Sequence, residues 1–287
     1  MKPINITELE EINLEGWELI EDAPTEKVYQ KDDIQKLVEF SNNYIVEENY
    51  KNDKLHGLTI GRMNQPFLHY PDKKSRIYLL EQYENGDRTG THFNFYDDGS
   101  RDESNWLENQ LHGNSDSWYS NGQKEKERYY LKGNLEGKQM EWYENGQPKV
   151  IEEYKAGILT GENLKYLENG MLKRRKFYKN GKIEGLVYEL WDYKGKLIDG
   201  GLYNETEYKN DLPHGKETVY FPNKVKMCEG INKNGKEHGE RIWWNENGII
   251  SIKEYFVDGE LEGERYLYND QGELESIQKY SNGDLIS

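Results

Sequence analysis

Apolar and polar side chains alternate with period two along most of the chain, in short runs separated by glycine-bearing polar turns. Counting from Gly90, Gly113, Gly137, Gly161, Gly185, Gly215, Gly239 and Gly263, the third position reads Phe93, Asp116, Met140, Leu164, Tyr188, Thr218, Ile242 and Tyr266. The fifth reads Phe95, Trp118, Trp142, Tyr166, Leu190, Tyr220, Trp244 and Tyr268. Two positions apart along a strand means one face, so these columns predict half-buried strands whose aromatic residues share a side. A return-strand column, Tyr83, Tyr130, Tyr154, Tyr178, Phe256 and Tyr280, completes the pattern.

The glycines themselves are periodic. Gly113, Gly137, Gly161 and Gly185 are 24 residues apart, as are Gly215, Gly239 and Gly263. Two further series, one four residues before and one nine after, mark two turns per repeat, and many of their members follow Asn: Asn85-Gly86, Asn121-Gly122, Asn145-Gly146, Asn169-Gly170, Asn180-Gly181, Asn234-Gly235, Asn247-Gly248 and Asn282-Gly283. Asn-Gly tolerates the positive φ of a type I′ turn at both positions, which predicts an array of β-hairpins. The expected fold is all-β: an elongated, single, antiparallel, twisted sheet of about nine stacked hairpin repeats, a β-meander solenoid.

The register defines the organisation. Residues 46–287 carry the repeat, with insertions near 62–72 and 198–204, and residues 1–45 are expected to form a non-repeat N-terminal cap. Within that cap, Asp32 and Asp33 ahead of Ile34, Leu37 and Val38 predict a short helix. Asn109, Asp211 and Lys224 stand where turn glycines are expected.

Composition narrows the function. The chain has 23 Tyr and 7 Trp but few aliphatic residues, so its buried area is expected to be thin and aromatic. The net charge of −16 argues against nucleic acid and anionic membranes as partners and favours a basic protein. Cys228 is the single cysteine, which excludes an intrachain disulfide and CxxC chemistry. The acidic start and the lack of a long apolar run predict a cytoplasmic location.

The stretch Gly137-Lys138-Gln139-Met140-Glu141-Trp142-Tyr143-Glu144-Asn145-Gly146, continuing to Tyr154-Lys155-Ala156-Gly157, resembles the bacterial variant of the MORN repeat, and the resemblance recurs in register over roughly residues 50 to 287. Bacterial proteins of such units are grouped as YwqK-type antitoxins. The resemblance implies an elongated β-sheet with a binding role and carries no catalytic residue across.

His56, His112, His214 and His238 occupy the slot before a repeat glycine that elsewhere holds Glu136, Glu184 and Glu262. A metal ladder there competes with a purely structural turn role, and the structural role is favoured because Thr160 is also tolerated and one ligand per repeat rarely converges on one ion. No nucleophile elbow, Walker loop, dinucleotide fingerprint or HExxH motif occurs, so no enzymatic activity, cofactor or metal is expected. Tyr96, Tyr119, Tyr143, Phe221 and Trp243, with Trp191 at a register slip, should point away from the face bearing Trp118 and Trp142. They form either a second packed layer or an exposed stripe of partner-binding anchors. The expected function is therefore a protein-interaction scaffold, in its most specific form an antitoxin or immunity-type protein neutralising a basic partner. The alternative is a carbohydrate or cell-wall binding module. An open edge strand at the C-terminus is expected to support a weak homodimer.

Overall fold

In the computed structural model, residues 14–15, 17–24, 26–40, 44–63, 76–191 and 202–286 are described. All 29 strands of these residues belong to antiparallel ladders, and no helix occurs among them. The chain divides into two compact units, Met1–Gln147 and Pro148–Ser287.

The first unit meanders through Glu18–Ala23, Glu26–Lys31, Ile34–Phe40, Tyr44–Lys51, Gly57–Met63, Arg76–Glu84, Gly90–Phe95, Arg101–Leu107, Gln110–Trp118, Lys124–Leu131 and Gly137–Trp142, each pairing with the next. The second runs through Pro148–Lys155, Ile158–Tyr166, Leu172–Lys179, Gly185–Trp191, Leu202–Lys209, Leu212–Tyr220, Lys226–Lys233, Gly239–Trp244, Ile250–Val257, Gly263–Tyr268 and Leu274–Ser281 in the same manner. The all-β hairpin meander expected from the pattern is thus what forms.

The predicted helix after Asp33 is a strand instead. Asp32 takes φ 53° in a turn, and Ile34–Phe40 pairs on both sides. Its period-two set Ile34, Lys36, Val38 and Phe40 is the more buried side, so the alternation overrides the helical spacing of Ile34, Leu37 and Val38. Strands beginning at Glu18 already belong to the meander, although residues 1–45 lack the sequence repeat. The insertions fall largely on residues 64–75 and 192–201, outside the described residues; Arg62, Met63 and Leu202–Asn204 at their flanks are strand residues.

The two turns of each repeat are built differently. At Asn52-Asp53, Asn85-Gly86, Glu108-Asn109, Lys132-Gly133, Ala156-Gly157, Asn180-Gly181, Asn210-Asp211, Asn234-Gly235, Asp258-Gly259 and Asn282-Gly283 both residues have positive φ, the signature of type I′. Asn109 and Asp211 substitute for glycine there because their short polar side chains tolerate the left-handed region. The second turn departs from expectation: at Asn121-Gly122, Asn145-Gly146, Asn169-Gly170 and Asn247-Gly248 only the glycine has positive φ. Gly122 N donates to Tyr119 O at 2.9 Å and Tyr119 N to Gln123 O at 2.9 Å, a type I turn closed by a left-handed bulge residue. Asn121 is selected for its side chain, whose Oδ1 accepts from Gln123 N at 2.9 Å and whose Nδ2 donates to Glu144 O at 2.9 Å in the next repeat.

The type I′ turns also join repeats. The second turn residue donates its N–H to a carbonyl of the preceding repeat: Gly86 to Leu55, Asn109 to Arg88, Gly133 to Leu111, Gly181 to Leu159, Asp211 to Ile183, Gly235 to Pro213, Gly259 to Glu237 and Gly283 to Leu261, at 2.8 to 3.1 Å. A turn that would otherwise face water thereby becomes a staple between neighbours.

Burial is thin and uneven. In the first unit Ile60, Ile77 and Leu80 form a cluster against Leu58, Phe93 and Phe95. Beside them Glu47 is buried between Lys36, 3.1 Å away, and Arg62. In the second unit the buried positions are mostly polar, including Asn163, Thr206, Arg241 and Glu254, with Val187, Leu190, Phe221 and Cys228 the apolar members.

The turn geometry gives a direct test. Gly235→Val places a β-branched residue at φ 83° and should destabilise the protein by about 1–2 kcal/mol, whereas Gly235→Asn should cost less than half as much. Urea denaturation of both variants measures this; equal losses would show that conformation is not what selects glycine.

Candidate protein-binding face

The histidine slot has a structural function. His56 Nδ1 accepts from Asn85 N at 3.4 Å, His112 Nδ1 from Lys132 N at 3.4 Å and His214 Nδ1 from Asn234 N at 3.3 Å. Each acceptor serves the first turn residue of the following repeat. Glu184 and Glu262 do the same with Oε2, accepting from Asn210 N and Asn282 N at 2.9 Å. His and Glu interchange here because both present an acceptor at the same reach. Among the described residues no three His, Cys, Asp or Glu side chains gather as metal ligands.

The predicted partner-binding aromatics separate into distinct environments. Tyr96 and Trp191 are exposed, at 48% and 47%. Tyr119 and Tyr143 are half-buried, and Tyr119 donates its hydroxyl to Trp142 O at 2.8 Å, which joins consecutive repeats. Phe221 is buried. Trp243 lies in register with fully buried Cys228 and donates Nε1 to Glu254 Oε1 at 2.7 Å. Of the two arrangements open to these six, exposure describes Tyr96 and Trp191, whereas Phe221 is buried and Tyr119, Tyr143 and Trp243 are half-buried.

The faces of the second unit explain the split. One row runs through Asn163 and Lys176, then Val187, Thr206, Glu217 and Gly230, then Arg241 and Glu254. Arg241 fills the space that Gly230 leaves: a Cβ on Gly230 would lie 2.8 Å from Arg241 Nε. Its guanidinium pairs with Glu217 at 2.7 Å and Glu237 at 3.1 Å, and Glu254 pairs with Arg265 at 3.1 Å. These charged side chains bury one another on the face opposite Trp244.

The other face is more open and largely unanticipated. Its outer row opposes Glu162 with Phe177, Leu186 with Glu207, Lys216 with Ile231 and Glu240 with Tyr255. Phe177, Leu186, Ile231 and Tyr255 are 46%, 55%, 52% and 47% exposed. The adjoining row carries Arg175, Tyr188, Glu205, Thr218, Glu229 and Ile242. Three depressions line up along these rows. One of about 560 Å³ is lined by Glu162, Phe177, Glu184, Leu186, Tyr188 and Glu205. A second of about 490 Å³ is lined by Glu207, Lys216, Glu229, Ile231, Glu240 and Ile242. A third of about 410 Å³ shares Glu184 and Leu186 with the first and Glu207 with the second.

Carboxylates outnumber cations in this groove. Arg175 pairs with Glu162 at 2.6 Å, and Lys216 with Glu229 at 3.1 Å. Glu229 also binds Lys226 at 2.6 Å, and that hydrogen bond is the main cause holding its carboxyl below the usual range. Glu184, Glu205, Glu207 and Glu240 complete the acidic lining. The groove is suited to a surface that is apolar and positively charged. The apolar signal was present in the sequence as Phe177, Leu186, Ile231 and Tyr255, but these residues sit outside the two strongest aromatic columns.

Against known proteins, residues 135–156, 159–180 and 237–258 match the family model for the MORN repeat variant. These three segments are MORN-type repeats, and repeats of this kind are generally modules for interaction with proteins or membranes. No curated protein matches the chain.

The buried network yields two expectations. Arg241→Met leaves Glu217 and Glu237 without their shared cation and should destabilise the protein by about 3–5 kcal/mol; a loss below about 1 kcal/mol in urea denaturation would show the network to be dispensable. Burial pushes the Cys228 thiol up to about 12. Iodoacetamide should accordingly label Cys228 only after unfolding, and rapid labelling of the native protein at neutral pH would contradict its placement.

Proposed function

We propose that this is a non-enzymatic scaffold that holds another protein in the acidic groove of the second unit. The observation that carries the reading is the row of four exposed apolar side chains, Phe177, Leu186, Ile231 and Tyr255, interleaved with carboxylates on one face of a regular sheet. Apolar anchors supply most of the affinity in protein interfaces, while surrounding charges set orientation and encounter rate. The partner is a basic protein, and the finer form of the role is that of a cytoplasmic antitoxin or immunity-type protein that neutralises it. Tyr96 and Trp191 offer further exposed aromatic surface. The carbohydrate-binding alternative has less support on this face, because Tyr203 and Tyr220 stack on each other at 4.5 Å and 11° and do not present two free ring faces.

The test is capture of the partner from the native host, followed by binding kinetics. Phe177→Ala with Ile231→Ala should speed dissociation at least about tenfold, equivalent to about 1.4 kcal/mol, with the melting temperature nearly unchanged because both side chains are exposed. Association should slow as ionic strength passes roughly 0.1 M, where the Debye length is about 10 Å. An acidic partner with salt-insensitive kinetics, or full binding by the double variant, would overturn the assignment.

A further inference from the structure

The first unit contains a separate cleft of about 350 Å³, lined by Tyr44, Met63, Tyr78, Phe95, Tyr96 and Asp97. It lies where the strands Tyr44–Lys51, Gly57–Met63, Arg76–Glu84 and Gly90–Phe95 end at one edge. Its volume is near the lower end of small-molecule sites, roughly 300–1,000 Å³, so it suits a headgroup better than a large ligand.

The walls are aromatic and held in place. Tyr78 is the extra residue of a bulge opposite Gly61 and Arg62. Its ring lies against Gly61, where an added Cβ would meet Tyr78 Cζ at 2.6 Å. Glycine at position 61 therefore lets the ring lie down along the strand. Tyr96 donates its hydroxyl to Asp102 at 2.7 Å, which fixes its ring; that bond and burial push its phenol up to about 12. Burial, followed by the influence of Tyr44, also raises Tyr78. Both rings thus remain neutral phenols with electron-rich faces.

We propose that this cleft binds a methylated ammonium group. A cation above tyrosine faces is attracted by the ring quadrupole, by about 0.5–1 kcal/mol at exposed sites and about 2 kcal/mol when desolvated. The Asp97 carboxylate at the rim supplies the opposite charge, and the net charge of −16 concentrates cations near the surface. A primary ammonium brings three hydrogen-bond donors that must be satisfied on desolvation. This lining offers one carboxylate among four aromatic side chains and a thioether, so it favours an ammonium whose hydrogens are replaced by methyl groups. Nothing in the argument depends on the groove of the second unit, and each site stands or falls alone.

The experiment is a titration of the full chain with choline, with a peptide bearing trimethyllysine, and with 3,3-dimethylbutanol, the neutral isostere of choline, followed by NMR shifts and tyrosine fluorescence. Saturable binding of either cation, with the isostere at least about fivefold weaker, is expected from a charge contribution of about 1 kcal/mol. Whether choline or the peptide binds more tightly identifies a free headgroup or a modified lysine as the source. Tyr44→Leu and Asp97→Asn, both at exposed positions, should each weaken binding about threefold or more without lowering the melting temperature. Equal binding of the isostere, or no saturable response to either cation up to ~50 mM, a range that covers even weaker than millimolar affinity, overturns the proposal. So does unchanged affinity in both variants.

Discussion

The structure depends on one backbone constraint: a two-residue turn with positive φ at both positions, whose N–H groups point at the preceding repeat. The first turn residue donates to a His or Glu side chain, as Asn85 does to His56 and Asn210 to Glu184. The second donates to a backbone carbonyl, as Gly86 does to Leu55. One conformational choice therefore reverses the chain, fixes hairpin register and locks neighbouring repeats. Repeats that cannot bury enough apolar area alone gain stability from such junctions, which is why stability in arrays is largely a nearest-neighbour quantity.

The same constraint explains the polar interior of the second unit. Most buried positions of this unit are polar, and long side chains folding over their neighbours supply much of that burial. Arg241 lying across Gly230, with Glu217 and Glu237 as partners, is the clearest case. An arrangement of this kind adds little net stability compared with an apolar replacement, yet removing Arg241 is costly because Glu217 stays largely covered without its cation. Register is strongly fixed as a result, since a one-residue slip would carry every charge to the wrong face.

The parts of the fold set by local backbone chemistry were legible in the sequence. Glycine spacing located the turns, and alternation located the strands. What alternation left undetermined was which face is covered, because Trp142 and Gln139 occupy equivalent positions on opposite sides of one strand and only the structure shows Gln139 as the more buried. The same ambiguity leaves Phe221 and Trp243 open in the sequence to either a packed or an outward role; Phe221 is buried and Trp243 half-buried. The helix reading failed for a related reason: over seven residues, Ile34, Leu37 and Val38 satisfy a helical period while Ile34, Val38 and Phe40 satisfy a strand. The exposed row was hidden because its members lie on separate strands and meet charges across the sheet, a direction that linear sequence does not display.

Folding and recognition meet in the slot before each repeat glycine. Glu184 accepts the N–H of Asn210 and also lines two of the groove's depressions, while His214 serves Asn234 and lines one. Stacking requires only an acceptor there, so either residue preserves the array. The choice between them changes the charge that the groove presents: Glu adds a negative charge, and a neutral His adds none. Glu207, outside that slot, is likewise held by the backbone: it accepts from Lys216 N at 2.8 Å across its own hairpin and lines the groove. Because these carboxylates are positioned by backbone N–H groups, they need little reorganisation when a cationic partner arrives, and the rigid junction that stabilises the sheet also preorganises its binding surface.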